Sequence, residues 1–126
     1  MGTRIHDYEF SRGLTWERTH HWNLISQLQR DNFAGWLDVS YEQYRGAQGV
    51  LEQCRGDLAE AMKDIDLLLT PSAPGEAPPG LSRTGDTSFN NLATWTYTPC
   101  ITLPVFTGPS GLPVGIQLIG HRNQDH

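Results

Sequence analysis

The side chains that could act as nucleophiles or bases in this chain lack the companions that such chemistry needs. Ser110 lies in Gly108-Pro-Ser-Gly111, which lacks the Gly-x-Ser-x-Gly spacing of a nucleophile elbow and favours a turn. The only lysine, Lys63, stands near the end of a predicted helix beside Asp64, where its charge favourably meets the helix dipole and solvent. A catalytic lysine needs desolvation and a nearby serine, and neither Ser72 nor Ser110 has a base indicated nearby. We therefore predict no catalytic residue in this sequence.

The histidines and cysteines are also poorly placed for catalysis or metal binding. His20 and His21 are adjacent, so on a helix they point roughly 100° apart, and nothing fixes the distance of His6 from either. Cys54 falls on the apolar stripe of a predicted helix, which favours a core position. Cys100 has no histidine nearby to activate its thiol. We expect neither a metal site nor a cofactor.

The composition excludes several classes of partner. Fourteen acidic against nine basic residues give a net charge of −5, and no basic run is present to displace counterions from a nucleic acid. The apolar runs are far shorter than the ~20 residues of a membrane span, and the N-terminus has no apolar signal region. Two widely separated cysteines suit reduced thiols in the cytosol. The 126 residues predict a single cytoplasmic domain.

Two helices are predicted in the first half of the chain. The first spans about residues 8–29, with apolar side chains at mixed three- and four-residue spacings, and a turn over 32–38 follows it. Ser40 and Gln43 have the spacing of a capping box, which satisfies free backbone donors, so the second helix begins there. Its apolar stripe consists of Tyr44, Ala47, Leu51, Cys54, Leu58, Ala61 and Ile65.

The second half holds all eight prolines and predicts strands separated by loops. The run 67–69 predicts a strand buried on both faces, and two more strands are expected near 100–106 and 114–118, joined by a turn at 107–111. Between them, 72–85 forms a loop and Asp86 caps a third helix. The predicted fold is therefore α/β: an N-terminal helical pair, then a small mixed sheet with one further helix.

Several of these segments together resemble the C-terminal third of the amidase-signature hydrolases. They are a Ser40-led helix carrying Tyr44, a Leu-Leu-Thr-Pro strand ending at Pro71, a Pro/Gly-rich loop, a Thr-Gly-Asp-x-x-Phe-Asn segment at 84–90, and two closing strands. The resemblance implies a fragment of that family's fold, in which the serine–serine–lysine catalytic core lies upstream of these segments. One departure is Tyr97, where family members generally have a glycine two residues before the proline.

The resemblance also implies where ligand recognition would lie. In the resembled enzymes, the loop after the Leu-Leu-Thr-Pro strand and the following helix start line the substrate side, which corresponds here to 70–90. Short polar side chains in this segment could fix a small amide by hydrogen bonds. The alternative for the helix start is that its side chains only cap the helix. The candidate ligand-binding residues are Thr70, Ser72, Thr84, Asp86 and Asn90.

Three functions remain open at this point. The first is a truncated amidase-like protein without autonomous activity that forms a homo-oligomer, with a dimer favoured because a partial sheet leaves an open edge and an apolar face. The second is one part of a split amidase, completed by a polypeptide that supplies the serines and lysine. The third is a small-molecule binding module. Four tryptophans would form either the small core or a self-association surface.

Overall fold

The computed structural model describes residues 2–80 and 85–124, which form two compact units that divide between Gln53 and Cys54. The described helices are α1 (Gly2–Gly13), α2 (Thr15–His20), a 3-10 turn (Trp22–Leu24), α3 (Gln27–Leu37), α4 (Tyr41–Ala61) and α5 (Asn91–Thr96). The described strands are β1 (Leu68–Pro71), β2 (Cys100–Thr107) and β3 (Pro113–Ile119). No described helix has the length and apolar content needed to cross a membrane. The expectation of a single domain stays a prediction.

The first unit is helical, but its helices are shorter than predicted. The expected helix over 8–29 is wrong, because the helix is interrupted at Leu14 and ends at His20, giving α1, α2 and a 3-10 turn. The expected turn at 32–38 is also wrong, since α3 occupies it. Ser26 accepts a hydrogen bond from the Gln29 N–H (3.3 Å) and so caps α3. The missed signal was a second Ser-x-x-Gln capping spacing.

Aromatic side chains build the core of this unit between α1 and α3. Phe33 is 2% exposed, and Trp36 meets both Phe33 and Phe10 edge-on, with 5.2 Å between ring centroids in each pair. The His6 ring, one helical turn before Phe10 in α1, stacks on the Phe10 ring and completes the cluster. Trp16, in contrast, is 59% exposed. The tryptophans of this unit therefore divide between core and surface.

The start of α4 confirms the predicted capping box. The Ser40 Oγ accepts from the Gln43 N–H at 3.1 Å, and the Gln43 side chain accepts from the Ser40 N–H at 2.9 Å. Of the predicted apolar stripe, Ala47 and Leu51 are buried, whereas Cys54 is exposed, so its expected core position is wrong. Cys54 lies seven residues after Ala47, a rotation of only about 20° on α4, so the loss of burial means that no described neighbouring element covers this part of the stripe.

The sheet of the second unit confirms the α/β class and has the order β1-β3-β2. Strand β3 lies in the middle and pairs antiparallel with both neighbours, so every described pairing is antiparallel where mixed pairing was expected. The turn predicted at 107–111 is confirmed as the β2–β3 connection. Strand β1 lies at the edge and Leu69 is 65% exposed, so the expectation of a strand buried on both faces is wrong.

The two faces of the sheet differ in burial along the central strand β3. Gln117 and Ile119 on β3 point to the same side and are 1% and 0% exposed, while Leu118 points to the other side. The register places that second side opposite Leu69 and Ile101, and an irregularity between Leu103 and Phe106 keeps Phe106 on it. We call this second side the open face; its exposed large side chains are Leu69 (65%), Ile101 (58%), Leu103 (38%) and Phe106 (61%).

Helix α5 begins later than the sequence predicts and ends in an unusual conformation. Asp86 accepts from the Ser88 N–H at 2.7 Å and so closes a turn ahead of the helix, whereas the helix itself begins at Asn91. Tyr97 then adopts a left-handed backbone (φ 58°, ψ 40°), a conformation that favours glycine because it crowds a Cβ. This geometry explains physically why a glycine would suit this position.

Candidate functional site

The candidate site is a cleft of about 340 Å³ between the proline- and glycine-rich loop and the sheet of the second unit. The loop follows directly from β1, and the Ser72 N–H donates to the Gly115 carbonyl of β3 at 3.0 Å, which fixes the point where loop and sheet separate. Loop residues 72–78 form one wall. The rest of the lining is Gly85, Asp86, Thr102, Pro104, Pro113 and Gly115.

Ser72 has unused hydrogen-bonding capacity in this cleft. Its Oγ is buried and has no hydrogen-bond partner among the described residues. Gly115 leaves room for it: a Cβ there would lie 2.8 Å from the Ser72 Oγ and 2.9 Å from the Thr102 methyl carbon. A buried hydroxyl without a partner is costly, so a ligand that offers a hydrogen bond would stabilise it. The same lack of a partner means that no described base activates Ser72 as a nucleophile.

Glu76 holds the loop against the β2–β3 turn. Its carboxylate accepts hydrogen bonds from the Ser110 N–H at 3.0 and 3.1 Å and from the Leu112 N–H at 3.0 Å. Partial burial raises the pKa of Glu76, but the hydrogen bonds from Ser110 and Leu112 outweigh it and hold the pKa below its ordinary value of 4.5. The cleft wall is therefore tied to the hairpin by an ionised carboxylate.

The structure brings together only some of the predicted ligand residues. Ser72 and Asp86 line the cleft. Hydrogen bonds from the side chain and backbone of Ser88 lower the pKa of Asp86, so this carboxylate is engaged at the turn. Thr70 donates to the Pro71 carbonyl and does not line the cleft; Asn90 is exposed and is also outside it. Thr84 lies outside the described residues. Ligand binding by this set stays a prediction.

The remaining chemically capable side chains are engaged elsewhere. Lys63 is exposed and pairs with Glu60 at 2.5 Å. His20 Nδ1 lies 2.9 Å from the Thr19 hydroxyl and 3.1 Å from the Trp16 carbonyl. Within residues 2–80 and 85–124, no three His, Cys, Asp or Glu side chains gather as metal ligands would. Cys100 is exposed at the start of β2 and lines a second, more apolar cleft of about 360 Å³.

Two features of the site were missed in the sequence. Glu76 is the only charged residue between Ala73 and Gly80, and a lone carboxylate among prolines and glycines was the available signal. Its partners at 110 and 112 are 34 and 36 residues away, a distance that no local pattern reports. Gly115 interrupts an apolar strand, which indicates a close approach of another group.

Comparison with known proteins assigns the chain to a family. The family model described as Amidase matches residues 15–126. The chain is 30% identical over 115 residues to the 2-amino-5-chloromuconic acid deaminase of Comamonas testosteroni, covering 80% of this chain and 24% of that protein. It is 35% identical over 99 residues to a glutamyl-tRNA(Gln) amidotransferase subunit of Synechococcus sp. (strain WH7803), covering 70% of this chain and 19% of that protein.

The fold gives the same result. A solved amidase structure superposes with a TM-score of 0.82 at 27% identity, over 98% of this chain and 31% of that chain. The chain thus spans about a quarter or less of the length of these curated relatives. The match of the family model extends over both units, and it agrees with the resemblance carried by the strand and loop motifs. This chain belongs to the amidase family.

Proposed function

We propose that this 126-residue chain is a non-catalytic part of an amidase fold that functions as a two-fold dimer, and that it does not hydrolyse amides by itself. The open face of the sheet carries the proposal. Leu69, Ile101 and Phe106 are each more than half exposed there, although strands of this composition normally have an apolar layer packed against them. A second copy would supply that layer through the same side chains.

The absence of autonomous hydrolysis is supported by the state of the groups that acyl transfer needs. Such a reaction requires a nucleophile with a base in hydrogen-bond reach. The Ser72 Oγ has no partner among the described residues, and no described hydrogen bond joins the Ser110 hydroxyl to a histidine or lysine. Lys63, the only lysine of the sequence, is exposed and paired with Glu60. None of these groups forms an activated pair with another.

Light scattering on the purified chain tests the dimer. We expect a mass of twice 14.1 kDa and no turnover of a simple amide above background. Ile101→Asp should return the protein to a monomer with unchanged circular dichroism, because a charge is tolerated on an exposed strand and strongly disfavoured in an apolar interface. The matched control is Leu24→Asp, on a side chain that is 77% exposed in the first unit, which should leave the mass unchanged.

Two outcomes would contradict the proposal. A wild-type monomer at tens of micromolar would exclude the dimer, and amide turnover abolished by Ser72→Ala or Ser110→Ala would exclude the lack of activity. The alternative of a split amidase predicts a different pattern. In that case the chain stays monomeric, binds a second amidase polypeptide that carries the serines and lysine, and hydrolyses amides only in that complex. Ile101→Asp would then abolish the complex and its activity together.

The buried Ser72 hydroxyl favours a second candidate function, the binding of a small amide in the cleft. An amide offers both a donor and an acceptor to this hydroxyl. Propionamide titrated into labelled protein should shift the backbone amide signals of Ser72 and Thr102. Ser72→Ala should weaken the binding at least several-fold, Asp86→Asn should alter it, and Asn90→Ala, outside the cleft, should not. Binding unaffected by Ser72→Ala and Asp86→Asn would exclude this function.

A further inference from the structure

The β2–β3 turn has the properties of an anion receptor, and its occupant is part of the chain itself. We propose that this turn is a carboxylate-binding site that Glu76 fills, and that a small free monocarboxylate takes the same place when the Glu76 side chain is removed. Glu76 is then the positioning residue for the loop wall of the cleft. This inference goes beyond the proposed function, since it depends neither on the dimer nor on the absence of hydrolysis.

The donors of the site are backbone amides held by the turn. The N–H groups of Ser110 and Leu112 point at one carboxylate, with three N···O distances between 3.0 and 3.1 Å. Two backbone hydrogen bonds fix the turn that orients these donors. The Gly111 N–H donates to the Gly108 carbonyl at 3.0 Å, and the Gly108 N–H donates to the Leu112 carbonyl at 2.9 Å. The two donors are the first and third N–H groups of the Ser110–Gly111–Leu112 run, and backbone N–H groups that converge in such a concave turn form an anion-binding nest.

The turn also has space shaped for a carboxyl group. A Cβ built on Gly108 would lie only 2.3 Å from the Glu76 carboxyl carbon and 2.4 Å from its Oε1. Glycine is therefore required there for the carboxylate to approach the amides. The same requirement provides a steric test, since a methyl group at this position fills the place of any carboxylate, internal or free.

The loop gives Glu76 its importance. The 73–80 segment has no other charged residue. Within this segment the described backbone hydrogen bond is the one from the Gly75 N–H to the Ala73 carbonyl. Contact with the hairpin through Glu76 therefore fixes the wall formed by 72–78. The lowered pKa of Glu76 agrees with a carboxylate that is stabilised in its ionised form.

Chemical rescue tests the site directly. In wild-type protein the amide protons of Ser110 and Leu112 should resonate downfield, as protons donated to a carboxylate do. Glu76→Ala should move both upfield and lower the melting temperature by a few degrees. Sodium acetate should restore the two resonances and raise the melting temperature, whereas sodium chloride at equal ionic strength should not. The matched control, Glu60→Ala, removes a glutamate paired with Lys63 and should leave both resonances in place.

Two further variants make the test decisive. Gly108→Ala keeps Glu76 but blocks its place, so it should shift the same two resonances and show no response to acetate. Glu76→Gln keeps the shape with a weaker acceptor and should give intermediate shifts, which answers the question if Glu76→Ala fails to fold. Unchanged Ser110 and Leu112 resonances in Glu76→Gln and Gly108→Ala would overturn the assignment of Glu76. Equal effects of acetate and chloride on folded Glu76→Ala would overturn the carboxylate site.

Discussion

The two units of this chain build their apolar cores differently. The first unit buries aromatic rings among its own helices, with Phe33 2% exposed and Trp36 packed edge-on against two rings. The second unit buries Gln117 and Ile119 on one side of its central strand and leaves the other side of the sheet open, with Leu69 and Phe106 both above 60% exposed. Helices can close a small core with neighbours in sequence, but a sheet needs a layer on each apolar face. This difference supports the proposal that the open face of the second unit packs against a further surface.

The largest expected effect tests the two faces of the sheet against each other. Ile119→Ala removes a side chain that is 0% exposed and should lower the free energy of unfolding by about 2–4 kcal/mol, since it leaves a cavity. Ile101→Ala, on the open face, should change it by less than about 0.5 kcal/mol. Urea unfolding at a concentration where the chain is monomeric measures both. Equal losses would contradict the assignment of a buried and an open face.

A pair of glycines tests the packing of the cleft against the packing of a helix. Gly115→Ala should destabilise the protein by about 1–3 kcal/mol, because the new methyl group would lie within 3 Å of Ser72 Oγ and Thr102 Cγ2. Gly56→Ala, in α4, meets no atom within 4 Å and should stabilise it by roughly 0.5–1 kcal/mol. Thermal unfolding of the two variants measures these opposite signs. Stabilisation by both variants would mean that the cleft has room for a methyl group at Gly115.

The acid response of Glu76 tests the attachment of the loop. Its pKa is lowered from 4.5 in the folded state, so the carboxylate contributes stability that is fully present above this value and is lost as the pH falls through the lowered pKa. Glu76→Gln removes that contribution. The stability difference between wild type and Glu76→Gln should therefore shrink as the pH falls below 4.5 and through the lowered pKa. Asp86, whose pKa is also lowered, titrates in both proteins and cancels. A difference independent of pH would contradict the attachment.

The smallest effect concerns Tyr97, where two opposing contributions nearly cancel. Its left-handed backbone costs about 1 kcal/mol, while its ring lies 4.0 Å from the Arg55 guanidinium, a contact that contributes about 0.5–1 kcal/mol at an exposed site. Tyr97→Asn should therefore change stability by less than about 0.5 kcal/mol, since asparagine tolerates this conformation. Tyr97→Ala keeps the strain without the ring and should be less stable than Tyr97→Asn. The reverse order in urea unfolding would contradict this balance.

The sequence predicted the parts of the fold that local contacts decide. The Ser40–Gln43 capping box and the turn at 107–111 are each specified within a few residues, and both are confirmed. The break of the first helix at His21 was missed, because apolar spacing continues across it. Exposure of Cys54 and Leu69 was missed for a different reason: a pattern shows that a side chain is apolar, but tertiary packing decides whether another element covers it.

The candidate site was predicted in part. Resemblance to the amidase-signature hydrolases directed attention to 70–90, and Ser72 and Asp86 of that segment do line the cleft. Thr70 and Asn90 do not, because a strand and a helix start point alternate side chains in different directions. Glu76 was missed because it acts through backbone amides 34 and 36 residues away. Every residue except proline has a backbone N–H donor, so residue types do not reveal which of these donors a carboxylate uses.

The β2–β3 turn also decides where the chain tolerates inserted sequence. An exposed hairpin tip is ordinarily a favourable place for a peptide tag, a fused domain or new termini made by circular permutation. Here the tip donates two of its N–H groups to Glu76 and needs a bare Gly108 beside that carboxylate. An insertion between Gly108 and Leu112 would therefore also release the distant loop and reshape the cleft.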